Sequence, residues 1–136
     1  VLIAIAVLSL ILVGAFITSS HSLKTTQDSQ EHGEALALVS GQLEKLKQLV
    51  SSNDRRVFSG RPYCIDNSLA IFNSTTANCL VNSDSTPDTS GKQPAYRLSI
   101  TWNSVTNIFI AKATWASVNG NGQANVSLSY RLYQGT

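Results

Sequence analysis

The first 17 positions of the chain form a nearly continuous apolar run, interrupted by Ser9 and Gly14, and the first charged residue is Lys24. As an α-helix, a run of this length rises about 25 Å, just short of the hydrocarbon thickness of a membrane. The run has no basic start of the kind that a cleaved signal peptide shows, and the rest of the chain is too small to surround a core helix. The pattern therefore predicts a membrane helix.

A second helical pattern covers residues 34–51, where apolar positions recur at alternating intervals of three and four. Polar residues between them, including Gln42 and Lys47, are assigned to the opposite, solvated face. The stripe predicts an amphipathic helix that packs on the rest of the chain and stops near Ser51–Asp54. A short coiled coil is the alternative, although only about two heptads are present. The predicted packing residues are Leu36, Val39, Leu43, Leu46 and Val50.

Three stretches in the second half of the chain are rich in alternating apolar and polar residues: Tyr96–Trp102, Asn107–Ser117 and Val126–Leu132. Such alternation predicts strands with one covered face and one solvated face. The links between them are short, and one contains Asn-Gly-Asn-Gly at 119–122, which favours an antiparallel hairpin. A further short strand is expected within Ser68–Asn73.

The two helical patterns are expected to form one stem. No proline occurs before Pro62, and residues 18–33, rich in Ser, Thr and Gln, suit a polar continuation of the helix. The predicted fold class is therefore α+β, with a long N-terminal helix packed on a small antiparallel sheet of three to four strands. Residues 1–53 are assigned to the stem and residues 54–136 to a β-rich head.

Cys64 and Cys79 lie in a long connection, residues 55–94, which has few periodic signals and contains all three prolines of the chain. Beside a membrane-type N-terminal segment, such a pair predicts one disulfide formed in an oxidising compartment, with two buried thiols as the alternative. The bond would close a loop and stabilise the small head by roughly 3 kcal/mol.

The charge balance does not indicate a nucleic acid or an anionic lipid as partner, because ten basic and eight acidic side chains give a formal net charge of only +2. A DNA-stacking surface is a weak alternative, since aromatic residues at every second strand position normally serve the sheet's own packing. Its residues would be Tyr96, Trp102, Trp115, Tyr130 and Tyr133, with Arg97, Lys112 and Arg131.

The sequence contains no pattern that predicts catalysis, so we expect no enzyme activity, no cofactor and no metal centre. A Gly-rich phosphate loop and a Gly-x-Ser-x-Gly elbow are both absent. His21 and His32 are eleven residues apart, a spacing that does not place them together as a metal pair on a helix, and both are expected to be solvated. A weak calcium candidate is the oxygen-rich run of Asn82, Asp84 and Asp88, but a proline interrupts it, and a solvated loop is the alternative.

The run Val-Leu-Ile-Ala-Ile-Ala-Val-Leu-Ser-Leu-Ile-Leu, at Val1–Leu12, resembles the helix that follows the processing site of type IV pilins and pseudopilins. In that family a leader ending in Gly is followed by a short apolar run and a glutamate, and Val1 would directly follow this glutamate. The likeness is close over Val1–Ile17 and extends loosely to the whole architecture. The side chains that it assigns to the membrane helix, and later to the filament core, are Val1, Leu2, Ile3, Ile5, Val7, Leu8, Leu10, Ile11, Leu12, Val13, Phe16 and Ile17.

The resemblance implies a structural subunit of a type IV pilus-like filament at the cell surface, serving adhesion, twitching motility or DNA uptake. Before assembly the chain would be a single-pass inner-membrane protein. Its partners would be copies of itself or other pilins, a prepilin peptidase and the pilus assembly machinery. A minor pilin or a type II secretion pseudopilin is the alternative within the family, and a membrane-anchored extracellular binding domain is the alternative outside it. In an assembled fibre the helix is expected to melt locally near Gly14, within residues 14–22.

Overall fold

The computed structural model describes the backbone of residues 2–91, 95–118, 120 and 122–133, and the side chains of this part from Ser22 onward, together with Ser19. One helix, α1, spans Leu2–Ser51 and so joins the two helical patterns. Among the described residues no helix is long and apolar enough to cross a membrane. The side chains predicted to form the membrane helix and filament core, from Val1 to Ile17, lie outside the described set.

The end of α1 follows from its last residues. The N–H of Asp54 donates to the carbonyl of Leu49, and the N–H of Asn53 donates to that of Val50, each at 3.1 Å. Asn53 has a φ of 57°, in the left-handed region that asparagine tolerates better than most residues. This is the Schellman arrangement, which satisfies carbonyls left open at a helix end. The predicted stop near Ser51–Asp54 is confirmed. Gly14 lies within α1, and its melting in a fibre stays a prediction.

Over the described residues the head is an antiparallel sheet of six strands, which makes the fold α+β, as predicted, with more strands than the expected three to four. The strand order is β2-β1-β4-β5-β6, and β3 pairs with β4. The strands are β1 Tyr63–Ile65, β2 Ile71–Asn73, β3 Leu80–Val81, β4 Tyr96–Asn103, β5 Ile108–Ala116 and β6 Gln123–Arg131.

The three long strands, β4 to β6, confirm the strands that were predicted from the alternating apolar and polar residues. The three short ones lie in the connection 55–94, which also contains 3-10 helices at Arg55–Phe58 and Ala77–Cys79. Of the expected strand Ser68–Asn73, the part from Ile71 is β2. A turn closed by Asp66 occupies its first residues.

The second half of α1 lies on one face of the sheet and contributes much of the core. Val39, Leu43 and Leu46 are buried, and Val50 packs against the core from its margin. The prediction that Leu36 packs on the head is wrong, because 43% of this residue is exposed. At 3.6 residues per turn it lies about a quarter turn from the centre of the buried face. That face consists of Glu31, Ala35, Leu38, Val39, Gln42, Leu43, Leu46 and Leu49.

The Cys64–Cys79 disulfide is confirmed and ties β1 to the 3-10 helix before β3, with a Cα–Cα distance of 5.7 Å. Both cysteines are buried. The inner face of β4 and β5 is also buried, whereas apolar side chains on the inner face of β6, such as Val126 and Leu128, are only half-buried. The cover that α1 provides therefore becomes incomplete toward the β6 edge.

Candidate functional site

Buried polar contacts lie where α1 meets the sheet. Glu31 is 5% exposed and Trp115, on β5, is 2% exposed. The indole Nε1 of Trp115 donates to Oε2 of Glu31 at 3.0 Å. Among the described residues no Lys or Arg forms a salt bridge with Glu31. Since a buried carboxylate is costly without a partner, this hydrogen bond fixes where the helix lies against the sheet.

A second contact one turn along α1 repeats the arrangement. The fully buried Tyr96, on β4, donates its hydroxyl to Oε2 of Glu34 at 2.8 Å. Burial, and then the hydrogen bond to Glu34, raises the pKa of Tyr96 far above its usual value. The exposed His32 ring packs edge-on against Trp115 with centroids 4.9 Å apart, so it is not purely solvated. His21 lies outside the described side chains.

We call these five residues, Glu31, His32, Glu34, Tyr96 and Trp115, the junction cluster. Among the described side chains, they mark the point where α1 first becomes covered by the head. N-terminal to them, the side chains from Ser22 to Gln30 are exposed, apart from the half-buried Asp28. The cluster thus holds the helix at the place where it leaves the sheet.

Gln42 makes a third hydrogen-bonded contact between α1 and the head. Its Nε2 donates to the carbonyl of Ile65 at 2.7 Å, and its Oε1 accepts from the N–H of Ile65 at 2.9 Å. The side chain is 4% exposed, which corrects its assignment to the solvated face. The amide therefore pairs with the end of β1 as another strand would. The sequence contained a signal for this position, because residue 42 lies midway between Leu38 and Leu46 on a helical wheel.

An open groove of about 640 Å³ lies beyond the C-terminal end of α1. Its aromatic part is Phe58, whose ring packs edge-on against Trp102 at 5.2 Å. Trp102 in turn contacts Phe109, with centroids 4.3 Å apart. The lining, Asn53, Arg55, Phe58, Trp102 and Leu132, contains one charge and no nucleophile–base pair.

The oxygen-rich loop uses its carboxylates in local turns. Asp84 accepts from the N–H and hydroxyl of Thr86, and these hydrogen bonds lower its pKa. Asp88 accepts from the N–H groups of Ser90 and Gly91. Asn82 donates to the Thr86 hydroxyl. Within the described part of the chain, no three or more His, Cys, Asp or Glu side chains are grouped to hold a metal ion.

The residues of the weak DNA-stacking candidate are divided between the two faces of the sheet. Tyr96 and Trp115 are buried under α1, while the exposed Lys112 alternates onto the other face. Arg97, next to Tyr96, donates to the carbonyl of Ser74 at 2.9 Å. The strand period therefore separates these cations from the buried rings. Tyr130, on the inner face, instead lies 5.7 Å from the Nζ of Lys47 on α1.

The junction cluster and Gln42 supply hydrogen bonds between elements that are far apart in sequence. Such an arrangement is suited to holding a helix rigidly on a sheet. No protein-family model, curated protein or solved structure matches the chain.

Proposed function

We propose that this chain is a structural subunit of a type IV pilus-like filament, in which apolar N-terminal helices bundle and the heads form the outer surface. The observation that supports the proposal is that one continuous helix joins an apolar N-terminal sequence to a segment packed on the head. From Glu31 onward α1 is committed to the head, and the same helix begins at Leu2. Its N-terminal part, residues 2–17, has an almost continuously apolar sequence.

The physical logic of assembly follows from this arrangement. A helix that passes from lipid into a bundle exchanges lipid for protein neighbours, so packing rather than water exclusion drives association. The head must then keep a fixed orientation relative to its helix, or the subunits cannot repeat regularly. The contacts of Glu31, Glu34 and Gln42 with the sheet and with β1 supply that fixed orientation.

The proposed partners are further copies of this chain or other pilins, with a prepilin peptidase and the assembly machinery acting before and during polymerisation. The subunit would wait in the inner membrane with its head outside, where the Cys64–Cys79 bond is stable. A minor pilin or a secretion pseudopilin would use the same architecture at lower abundance. The role would be adhesion, twitching motility or DNA uptake.

The test is mass spectrometry and electron microscopy of filaments sheared from the producing cells. We expect this chain to be the dominant protein of a regular thin fibre. A scarce chain in the same fibres would identify a minor or tip subunit. A chain found wholly in the membrane fraction would overturn the proposal in favour of a secretion pseudopilin or an anchored binding domain.

A matched pair of variants sharpens the experiment. Val7→Lys places a charge in the apolar run, whereas Lys24→Ala removes one from the exposed part of α1. We expect Val7→Lys to abolish incorporation into filaments and Lys24→Ala to preserve it. The coding sequence before Val1 provides an independent check. A pilin should show Gly, a short apolar run and Glu there, and a plain signal-anchor should show basic residues.

A further inference from the structure

The open groove beyond the C-terminal end of α1 combines aromatic rings with a small number of polar side chains. We call it the aromatic groove, and its lining is Asn53, Arg55, Phe58, Trp102 and Leu132. Its volume of about 640 Å³ lies in the range of small-ligand sites. Such sites are typically lined by aromatic and apolar side chains, with a few polar groups that orient the ligand.

The local fold brings a cation and a ring to the same side of this groove. Arg55 and Phe58 are the first and last residues of one 3-10 helix. At three residues per turn, side chains three positions apart lie above one another. The carboxylate next in sequence, Asp54, accepts from the N–H of Arg56 and pairs with the Arg56 guanidinium at 2.6 Å. Arg55 therefore enters the groove without a salt bridge to any described residue.

The polar groups of the groove are mostly hydrogen-bond donors. Among the described residues, the side chains of Asn53, Arg55 and Trp102 form no hydrogen bond with the protein. No buried polar side-chain atom in this part of the chain lacks a partner, so the indole N–H of Trp102 contacts solvent. A guanidinium, an indole and an amide together offer many N–H groups but only one acceptor, the amide oxygen. A complementary ligand must therefore be rich in acceptor oxygens.

We propose that the aromatic groove binds a carboxylate-bearing sugar, such as a uronic acid residue of a glycan. The guanidinium of Arg55, the only charge in the lining, would bind the carboxylate through two parallel hydrogen bonds. The apolar face of the sugar ring would lie against Phe58 and Trp102, whose rings meet edge-on at 5.2 Å. The indole N–H and the Asn53 amide would bind ring hydroxyls. Since a carboxylate alone needs only Arg55, these two further groups favour a sugar over a simple apolar acid.

The groove is remote from the place where the helix leaves the head. α1 leaves the sheet at Glu31, and its last buried residue before the groove is Leu49. At 1.5 Å per residue, the two positions are about 27 Å apart along the helix. A glycan can therefore reach the groove without displacing the stem. Within the proposed filament this end of the head would point away from the membrane, which suits adhesion, but the binding itself does not rest on filament formation.

N–H correlation NMR of the isotope-labelled full chain, in micelles of a detergent without sugar, tests the site. The sequence contains two tryptophans, so two indole signals are expected, and Trp102→Phe assigns them by removing one. Methyl glucuronide should shift the Trp102 signal in a saturable way. It should leave the Trp115 signal in place, because that indole donates to Glu31 at the other end of the head. Methyl glucoside lacks the carboxylate and benzoate lacks the hydroxyls, and each should bind at least about tenfold more weakly.

A matched pair of arginine variants separates the charge from the fold. Arg55→Gln should reduce the affinity for methyl glucuronide to that for methyl glucoside, and binding of the glucoside should not change. Arg61→Gln removes an exposed arginine outside the groove and should bind as the original chain does. An unshifted Trp102 signal, equal binding of methyl glucoside or benzoate, or undiminished binding by Arg55→Gln would overturn the proposal. The Trp115 signal reports folding in every sample, and the chains in micelles give the same answer whether or not filaments form.

Discussion

Trp115 on β5 donates its indole N–H to the carboxylate of Glu31 on α1, 3.0 Å away, although 84 residues separate the two in sequence. Both side chains are almost fully buried. The bond satisfies a donor and an acceptor that water cannot reach. Each residue therefore offsets the free-energy cost of burying the other's polar group. It also binds the helix to the sheet at the point where the helix leaves the head.

Removing the carboxylate should therefore destabilise the head. We expect Glu31→Ala to lower the free energy of unfolding by about 1–3 kcal/mol, because it leaves the buried indole N–H without an acceptor. Glu31→Gln keeps an acceptor oxygen and should lose less. Urea denaturation followed by far-UV circular dichroism measures both.

The control for this prediction is Glu44→Ala, which removes an exposed carboxylate paired with Lys47 at 2.8 Å. A pair of this kind at i,i+3 contributes a few tenths of a kcal/mol. If Glu31→Ala unfolded at the same urea concentration as Glu44→Ala, the Trp115 bond would have no stabilising role.

Gln42 allows a second prediction, on the coupling of α1 to β1. Gln42→Ala leaves both the N–H and the C=O of Ile65 without their side-chain partner, and we expect a loss of about 2–6 kcal/mol, one unsatisfied-group penalty for each. Gln48→Ala, on the exposed face of the same helix, is the matched control and should change stability little.

A Gln42→Glu variant adds a pH signature. An ionised carboxylate cannot donate to the Ile65 carbonyl, whereas a protonated one can. The folded-state pKa of the new carboxyl should therefore lie above its unfolded value. Relative to the original chain, the variant should be most stable below about pH 4 and lose stability as the pH rises. A constant difference between pH 3 and pH 7 would contradict the assigned hydrogen bonds.

The sequence predicts the helices and strands that are long enough for their repeat of apolar and polar residues to be recognised. The strands β4 to β6 have eight or nine residues each, and α1 has 50. The strands β1 to β3 have two or three residues, too few to show a period. β1 and β3 are held in place by pairing with β4, by the disulfide and by the Gln42 amide, all of which are non-local, and β2 pairs with β1.

The junction cluster shows the same limit for the candidate site. Nothing in the sequence links Glu31 to Trp115 or Glu34 to Tyr96, because each pair depends on how far α1 is shifted along the sheet. The position of Gln42 on the buried face, by contrast, follows from helical geometry alone. The prediction placed Leu36 on the buried face because a spacing of three and four residues shows that an apolar stripe exists. The spacing does not show which residues lie at the centre of the buried face.

Asp66 carries a third prediction, on acid stability. Burial opposes ionisation of its carboxyl, but hydrogen bonds from Ser68 and Ala70, together with the charge of Lys45, outweigh burial and lower its pKa. A group with a lowered folded-state pKa stabilises the fold above its unfolded value, about 4, and loses that contribution as the pH falls through the folded value. The turn that Asp66 closes between β1 and β2 should therefore weaken below about pH 4.

Comparison with Asp66→Asn isolates this contribution. The amide oxygen can still accept from the N–H groups of Ser68 and Ala70, which both bond to Oδ1, but the side chain no longer titrates. The difference in melting midpoint between the two proteins should shrink between pH 6 and pH 2. Since Asp54 and Asp84 also have lowered pKa values, the acid loss in the variant should be reduced and not abolished.

Reduction of the Cys64–Cys79 bond gives the fourth prediction. The bond spans 15 positions in sequence, and the chain-entropy estimate for such a loop is about 3 kcal/mol. This is a large fraction of the stability of a small domain, which is typically about 5–15 kcal/mol. We expect a phosphine reductant to lower the urea midpoint of the full chain clearly. Near-UV circular dichroism of the aromatic core gives the midpoint before and after reduction.

The Cys64→Ala/Cys79→Ala double variant is the control that separates reductant effects from bond loss. It should unfold at the midpoint of the reduced protein and should not respond to reductant. Mass spectrometry after alkylation must show two modified thiols in the reduced sample. Two modified thiols with an unchanged midpoint would mean that β4 pairing and the Gln42 amide hold β1 without the bond. The disulfide would then have to be assigned a role other than stabilising the head.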